Sequence, residues 1–135
     1  MLAVLVLIPA VYILVALLRI QAVTLAVDQA ARDAGRAMDS AASVADGAAR
    51  ARAVAEIDLA DQRLGGSALT VRFVAAGSAC TAEHEIAPSL AAGSVYDVCV
   101  TAVLTLPGVP SVISGRTNTV TGVYTVHVGE LREGA

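Results

Sequence analysis

The first 18 residues of the chain are all apolar, and no charged side chain occurs before Arg19. At about 1.5 Å of helical rise per residue, this run is about 27 Å long, close to the hydrocarbon thickness of a bilayer. The run is longer than the apolar region of a typical signal peptide, and no basic segment precedes it. Pro9 would break a helix in water, but membrane-spanning helices tolerate proline. The pattern therefore predicts a membrane-spanning helix that is retained.

Helical spacing of apolar positions continues beyond this run. One predicted face consists of Ile20, Val23, Val27, Ala30, Ala31, Ala34, Met38 and Ala41. Asp28 precedes Arg32 by four residues, the favourable order for an ion pair on a helix. We predict one continuous helix from about Leu2 to Ala41, within a stem formed by residues 1–45. Its small-residue face either packs as a core helix or packs against other copies, since small residues let helices approach closely.

A break rich in Ser, Asp and Gly separates this stem from residues 46–135, which we predict to form an extracytoplasmic α+β domain. Asp46 would cap a second helix over residues 46–64, and the glycines at 65 and 66 would end it. The predicted apolar stripe of this helix consists of Ala53, Ile57, Ala60 and Leu64.

After the two glycines the period of the pattern changes to two, which is typical of β-strands. Strands are predicted at about 68–75, 95–106 and 117–128. Strands joined by loops favour a small three-stranded antiparallel sheet. The fold class is therefore α+β, with a long N-terminal transmembrane and amphipathic helix, a second helix and a small sheet.

The two cysteines, Cys80 and Cys99, fall in the loop after the first strand and on the second strand. An exported domain favours a disulfide between them, and the alternative is two unrelated buried thiols. A bridge would pin the loop to the sheet and stabilise the fold by roughly 3 kcal/mol.

Charge and motif content argue against nucleic-acid binding and catalysis. The net charge is −3, and the nine basic residues, all Arg, are interleaved with acids instead of forming a basic stripe. Glu83, His84 and Glu85 are adjacent and would converge poorly on a metal. Cys99 with His127 as its base would need a free thiol. We expect no enzyme, metal site or cofactor, and neither nucleic acid nor a small-molecule substrate as a partner.

The orientation of the stem is indicated in two conflicting ways. Arg19, Arg32 and Arg36 all follow the apolar run, so the positive-inside rule would place the C-terminal side in the cytoplasm. The cysteine pair and the strand-rich tail argue for the outside. We adopt the second interpretation and expect a single-pass protein of the cytoplasmic membrane with an extracytoplasmic C-terminal domain.

Three stretches carry a resemblance to a known family: LVLIPAVYILVALLRIQAVTLAVDQAARDAGRA, GAARARAVAEIDLADQ and CVTAVLTLPGVPSVI. The chain resembles the TadE/TadG-like minor pilins (pseudopilins) of tight-adherence (Tad) type IV pili, and its all-Arg, Ala/Val-rich composition looks like the actinobacterial type. Family members carry a basic leader, a cleavage site for prepilin peptidase and a Glu that registers subunits. None of these precedes Met1, so the chain is expected to be truncated, mis-started or trimmed.

The resemblance implies a subunit that acts in pilus assembly, initiation and surface adhesion without catalysis. Its partners would be other pilin or pseudopilin subunits, the assembly machinery, the cytoplasmic membrane and, where a leader exists upstream, prepilin peptidase. Besides the membrane, it would occupy the cell-surface pilus. The alternative is a single-pass membrane-anchored binding or structural domain that is not part of a pilus. The stem positions expected to serve membrane insertion and assembly are Leu5, Ile8, Pro9, Tyr12, Leu14, Leu18, Ile20, Val23 and Val27.

Overall fold

The computed structural model describes residues 1–64, 68–104, 106 and 118–130. Helix α1 runs from Leu2 to Asp39 without interruption at Pro9. It ends at Ser40, whose backbone N–H donates to the carbonyl of Arg36 at 3.0 Å. The predicted continuous helix is therefore confirmed, with an end that lies two residues before Ala41.

Helix α2 (Val44–Ala60) begins earlier than predicted, because Ser43 caps it instead of Asp46. The Ser43 hydroxyl accepts the backbone N–H of Asp46 at 3.2 Å, which satisfies one of the free N–H groups of the first turn. Asp46 lies inside this turn and forms an ion pair with Arg50 at 3.1 Å. An acid there is also favourable because the N-terminus of a helix carries partial positive charge.

The end of α2 also differs from the prediction, because Arg63 ends the helix before the two glycines. Arg63 adopts a positive φ of 56°. The N–H of Leu64 donates to the carbonyl of Leu59, and the N–H of Arg63 donates to that of Ala60, at 3.1 and 2.9 Å. Leu64 and Leu59 are both buried, which completes a Schellman motif with arginine at the position that glycine usually occupies.

The predicted apolar stripe of α2 was wrong at Ala53, Ile57 and Ala60 and right at Leu64. Ile57 is 71% exposed, and Ala53 and Ala60 are exposed as well. The helix instead buries Gly47, Ala51, Ala55 and Leu59. A Cβ at Gly47 would lie 2.9 Å from the Cβ of Ala41 and from the Sδ of Met38. The small residues let α2 lie close against α1, whereas Ile57 on that face would hold the helices apart.

Three strands form one antiparallel sheet in the order β1 (Leu69–Ala75), β2 (Val95–Val103) and β3 (Thr119–His127). The predicted strands are confirmed, with two bounds identical and the others different by one to three residues. In this register Val71, Val100 and Gly122 lie side by side on the face that packs against the helices. A single 3-10 turn, Ala82–His84, lies between β1 and β2.

The core lies between the sheet and the two helices. It contains the second half of α1, one face of α2 and alternate residues of each strand. In the middle of β2 both faces are buried, from Tyr96 to Val100. The start of the loop between β1 and β2 lies on the face of the sheet opposite the helices, where Gly77 donates its N–H to Asp97, and its later residue Leu90 packs into the core.

Candidate functional site: the apolar stem and its head domain

The first half of α1 projects from the fold with apolar side chains on every face. Of the predicted stem positions in this half, Leu5, Ile8, Tyr12, Leu14 and Leu18 are exposed large side chains, and Pro9 is exposed beside them. Within the described residues, α1 is the one helix whose length and composition would let it cross a membrane. The protein therefore has a single long apolar N-terminal helix that is compatible with one membrane span. An exposed apolar surface of this length requires a lipid or protein environment.

Arg19 marks the junction between this stem and the head domain formed by the described residues that follow it. It is the first charged residue of the sequence. Its guanidinium donates to the carbonyl of Gln62 at 3.4 Å. Gln62 follows the C-terminus of α2, where carbonyl groups carry partial negative charge. The contact fastens the end of α2 to the point at which the stem leaves the head.

The last three predicted stem positions do not share one environment. Val23 and Val27 are completely buried in the core of their own chain, whereas Ile20 is partly exposed. The small-residue face from Val23 to Ala41 is buried in the same way. Of the two interpretations, α1 as a core helix is therefore correct for this half. Any surface that α1 offers to other copies lies on the apolar first half and on the polar side of the second.

Two glycines set how closely β3 and α1 approach each other. A Cβ built at Gly122 would lie 2.6 Å from the carbonyl oxygen of Val27 and 3.0 Å from the Cα of Asp28. A Cβ at Gly35 would overlap the ring of Tyr124. The strand thus follows the helix in the same direction, from Gly122 beside Val27 to Tyr124 beside Gly35. No sequence periodicity marks these two glycines as contact points.

A disulfide and a buried carboxylate fix the loop between β1 and β2. Cys80 and Cys99 are bonded, with their Cα atoms 5.8 Å apart, so the predicted bridge is confirmed and the alternative of unrelated thiols is wrong. Asp97 accepts the N–H of Gly77 at 2.8 Å and the hydroxyl of Thr125 at 2.6 Å. Because Cys99 carries no thiol in this state, it offers no nucleophile for His127 to activate.

Polar side chains of the loop form contacts with their neighbours. His84 shares a hydrogen bond between its Nδ1 and the hydroxyl of Thr81 at 2.8 Å. Glu85 forms an ion pair with Arg72 at 3.7 Å. Across residues 1–64, 68–104, 106 and 118–130, no three potential ligands are grouped to hold a metal ion.

On α1, the predicted Asp28–Arg32 ion pair is not among those that the described residues form. Arg36 pairs with Asp33 at 3.3 Å instead. The amide of Gln29 donates to the other oxygen of Asp33 at 2.7 Å. Both Asp28 and Arg32 are exposed.

Asp58 on α2 is an unfavourable carboxylate for the fold. Its Oδ2 is buried and lacks a hydrogen-bond partner. Burial raises the pKa of Asp58 above its ordinary value, and the negative charge of Asp33 on α1 raises it further. The folded state therefore holds this proton more tightly than the unfolded chain, so stability falls as the pH rises from about 4 through the folded pKa.

We expect Asp58→Asn to raise the unfolding midpoint at neutral pH and to flatten the loss of stability above pH ~4. The amide removes the charge and keeps the size of the side chain. Urea titrations of the full chain in detergent micelles, at several pH values, measure both effects. Asp61→Asn is the matched control, because Asp61 is exposed and no such burial acts on it. Equal pH profiles for wild type and Asp58→Asn would contradict this account.

The described part of the chain is thus a membrane-compatible stem joined to a small head. Its parts are an apolar stem, a junction held by Arg19 and a small head stapled by a disulfide. No protein-family model matches the chain, and no match was found among curated proteins or among solved structures.

Proposed function

We propose that the protein is a minor pilin-like subunit of a Tad-type pilus, which acts in pilus assembly, initiation and surface adhesion. The observation that supports this proposal is the single helix α1, which is exposed and apolar over its first half and built into the head over its second. Because the stem and the head share one rigid helix, a stem packed among other stems would carry its head to a defined place on a fibre.

The physical requirement for such a subunit is that its apolar stem never enters water. Exposing it would cost about 25 cal/mol for each Å² of apolar surface. A bilayer covers the stem before assembly, and a bundle of apolar stems would cover it in a fibre. The subunit could therefore move between these environments at a small cost in hydrophobic free energy. The disulfide fits an extracytoplasmic head, since such bonds persist in oxidising surroundings.

The test compares the full chain with a variant whose residues 2–18 are replaced by a Leu/Ala helix of equal length. In the native cell, we expect the wild type in both the membranes and the sheared surface-fibre fraction, with its stem intact by mass. The replacement variant keeps an apolar stem and should remain in membranes. It should be absent from the fibre fraction, because the surface of its stem no longer matches the stems of neighbouring subunits.

Three results would count against the proposal. A wild-type protein confined to membranes indicates the alternative, a membrane-anchored binding or structural domain outside a pilus. A mature chain that starts beyond Arg19 would mean that the stem is removed as a signal. Equal entry of the replacement variant into fibres would show that the stem surface does not direct assembly.

A further inference from the structure

The outer edge of β1 is paired over only half of its length within the described residues. The N–H of Ile86 donates to the carbonyl of Phe73 at 2.8 Å, next to an antiparallel bridge between Val74 and Glu85. Backbone groups of alternate residues point to the same side of a strand. The groups of Val71 and Leu69 therefore point to this same outer edge, where no other described residue pairs with them.

Pro88 explains why the pairing stops. Continued by two residues beyond Ile86, this antiparallel register would place residue 88 opposite Val71, where its N–H would donate to the Val71 carbonyl. Proline has no N–H and cannot make this bond. The chain instead turns towards the start of α2, where Pro88 and Ser89 line a groove with Ser43.

The open half of β1 forms the floor of a groove beneath α2. The groove has a volume of about 250 Å³ and is lined by Leu69, Thr70, Val71, Arg52 and Glu56. A groove between a helix and a free strand edge fits an added β-strand, which would be held mainly by backbone hydrogen bonds.

The opposite edge of the sheet supplies a strand of the required kind. The N–H of Leu104 donates to the carbonyl of Asn118 at 2.7 Å, and the N–H of Val128 donates to the carbonyl of Ser94 at 2.9 Å. Even-numbered residues at both ends of β3 therefore bond inward. By alternation, the odd-numbered residues of β3 point their backbone groups outward. β3 has no Lys, Arg, Asp, Glu or Pro, the residues that commonly protect exposed edges from pairing.

We propose that the outer edge of β3 in one copy of this chain pairs in parallel with Leu69 and Val71 of the next copy. The sheet then continues from head to head along an assembly. This inference rests on the proposed function, because it takes the stems to be parallel. β3 runs in the same direction as α1, and β1 and β3 are parallel in the sheet, so copies with parallel stems present these two edges in parallel.

The pleat of the two edges favours this same arrangement. The outward groups of β1 belong to residues whose side chains face the helices, such as Val71. Those of β3 belong to residues whose side chains face away, such as Val123. In a parallel pair, a residue forms its hydrogen bonds with the two neighbours of the residue opposite, and the side chains of those neighbours point to the other face. Outward residues of β1 that face the helices can therefore bond to outward residues of β3 that face away, when both copies keep their helices on the same face of the sheet. An antiparallel pair in that arrangement would place opposite-facing side chains directly across from each other.

Charge complementarity supports a second copy as the occupant. Arg52 lines the groove on α2, and Asp28 lies exposed on α1 beside Gly122 of β3. Neither belongs to an ion pair among the described residues. Both helices cover the same face of the sheet, so β3 in the groove brings Asp28 of one copy towards Arg52 of the other. The contact is heterologous, and repetition of a heterologous contact produces open chains of subunits instead of closed dimers.

Cysteine crosslinking of the full chain in its native membrane tests the contact. Thr70→Cys is combined in turn with Thr119→Cys, Thr121→Cys and Val123→Cys, whose side chains share one face of the sheet. A short bismaleimide joins free thiols and leaves the Cys80–Cys99 bridge intact. We expect a ladder of dimers, trimers and larger species for at least one pair, and monomers for each single variant.

Leu14→Cys in a separate chain reports whether the stems meet. Stem crosslinks without any β1–β3 crosslink would overturn this inference and leave the proposed function standing. The absence of both would count against both. A dimer formed by Thr70→Cys alone would also overturn the inference, because it would show two β1 edges facing each other.

A second test adds Val123→Pro to a chain that forms the ladder. This chain carries Thr70→Cys together with either Thr119→Cys or Thr121→Cys. The proline removes an outward N–H without removing a bond to β2. We expect the crosslinked fraction to fall by about tenfold, since a backbone hydrogen bond is lost and the ring obstructs the edge. Val123→Thr keeps the N–H and should crosslink as before. Equal ladders from both variants, each with its Cys80–Cys99 bridge intact, would refute the paired edge.

Discussion

Replacing both Cys80 and Cys99 with alanine is expected to lower the free energy of unfolding of the head by about 3 kcal/mol. The bridge joins positions 19 residues apart, and in the chain-entropy description its loss frees a loop of this size in the unfolded state. Cys99 is 1% exposed, so alanine is preferred to serine at that site because it buries no unpaired hydroxyl. A head that buries mostly alanine and valine has little other stabilisation to compensate for the loss.

Hydrogen exchange of the β2 amides in detergent micelles measures this change, since the stem helix does not contribute to the signal. Reduction of the wild type should give the same loss of protection as the double variant, and reductant should leave the double variant unchanged. Equal protection in the oxidised wild type and the double variant would mean that the loop is held by Asp97 and its hydrogen bonds alone. Asp97 is 4% exposed and accepts two of them.

The sequence predicted the elements of the fold well because their periods differ so clearly. An apolar run with no charge before Arg19, a helical period to about Ala41 and strand alternation after residue 66 each allow one conformation. The disulfide was predicted from the expectation of an exported domain. These features depend on the local sequence pattern and on the expected compartment. Neither inference requires knowledge of the tertiary contacts.

The face of α2 could not be predicted in this way. Alanines occur around the whole helix, so Ile57 dominated the predicted stripe and the buried Leu59 was left out of it. The packing against α1 instead selects the smallest side chains, because close approach of the two backbones buries more surface than one isoleucine would. A small-residue spacing of four at Gly47, Ala51 and Ala55 was the available signal.

The exposure of the predicted stem positions changes along α1. Leu5 to Leu18 are exposed, whereas Val23 and Val27 belong to the core. A periodic apolar face has the same appearance whether its own domain or another copy covers it. The open half of β1 was not predicted. It arises because the register of the bridge would place Pro88 opposite Val71, and this register is known only from the folded chain.

Gly122→Val is expected to cause the largest single-residue loss of stability in the sheet, about 3 kcal/mol or more. The atoms that a Cβ would meet are the carbonyl oxygen and carbon of Val27, at 2.6 and 2.8 Å, and the Cα of Asp28 at 3.0 Å. All three belong to the backbone of α1 and cannot rotate away. The strand would have to move off the helix, which opens the core along Val27 and Val100. Urea unfolding of the full chain in micelles measures the loss.

Gly35→Ala provides the contrast that identifies backbone contact as the cause. Its added methyl meets the ring of Tyr124, a partly exposed side chain that can turn outward. Alanine also favours a helix over glycine by about 1 kcal/mol, so the net effect at this position should be small, and Tyr124→Ala should make it stabilising. Gly129→Ala, with no atom within 4 Å of the new Cβ, should be neutral. If Gly122→Val were no worse than Gly35→Ala, contact with the backbone of α1 would not be the cause of the loss of stability.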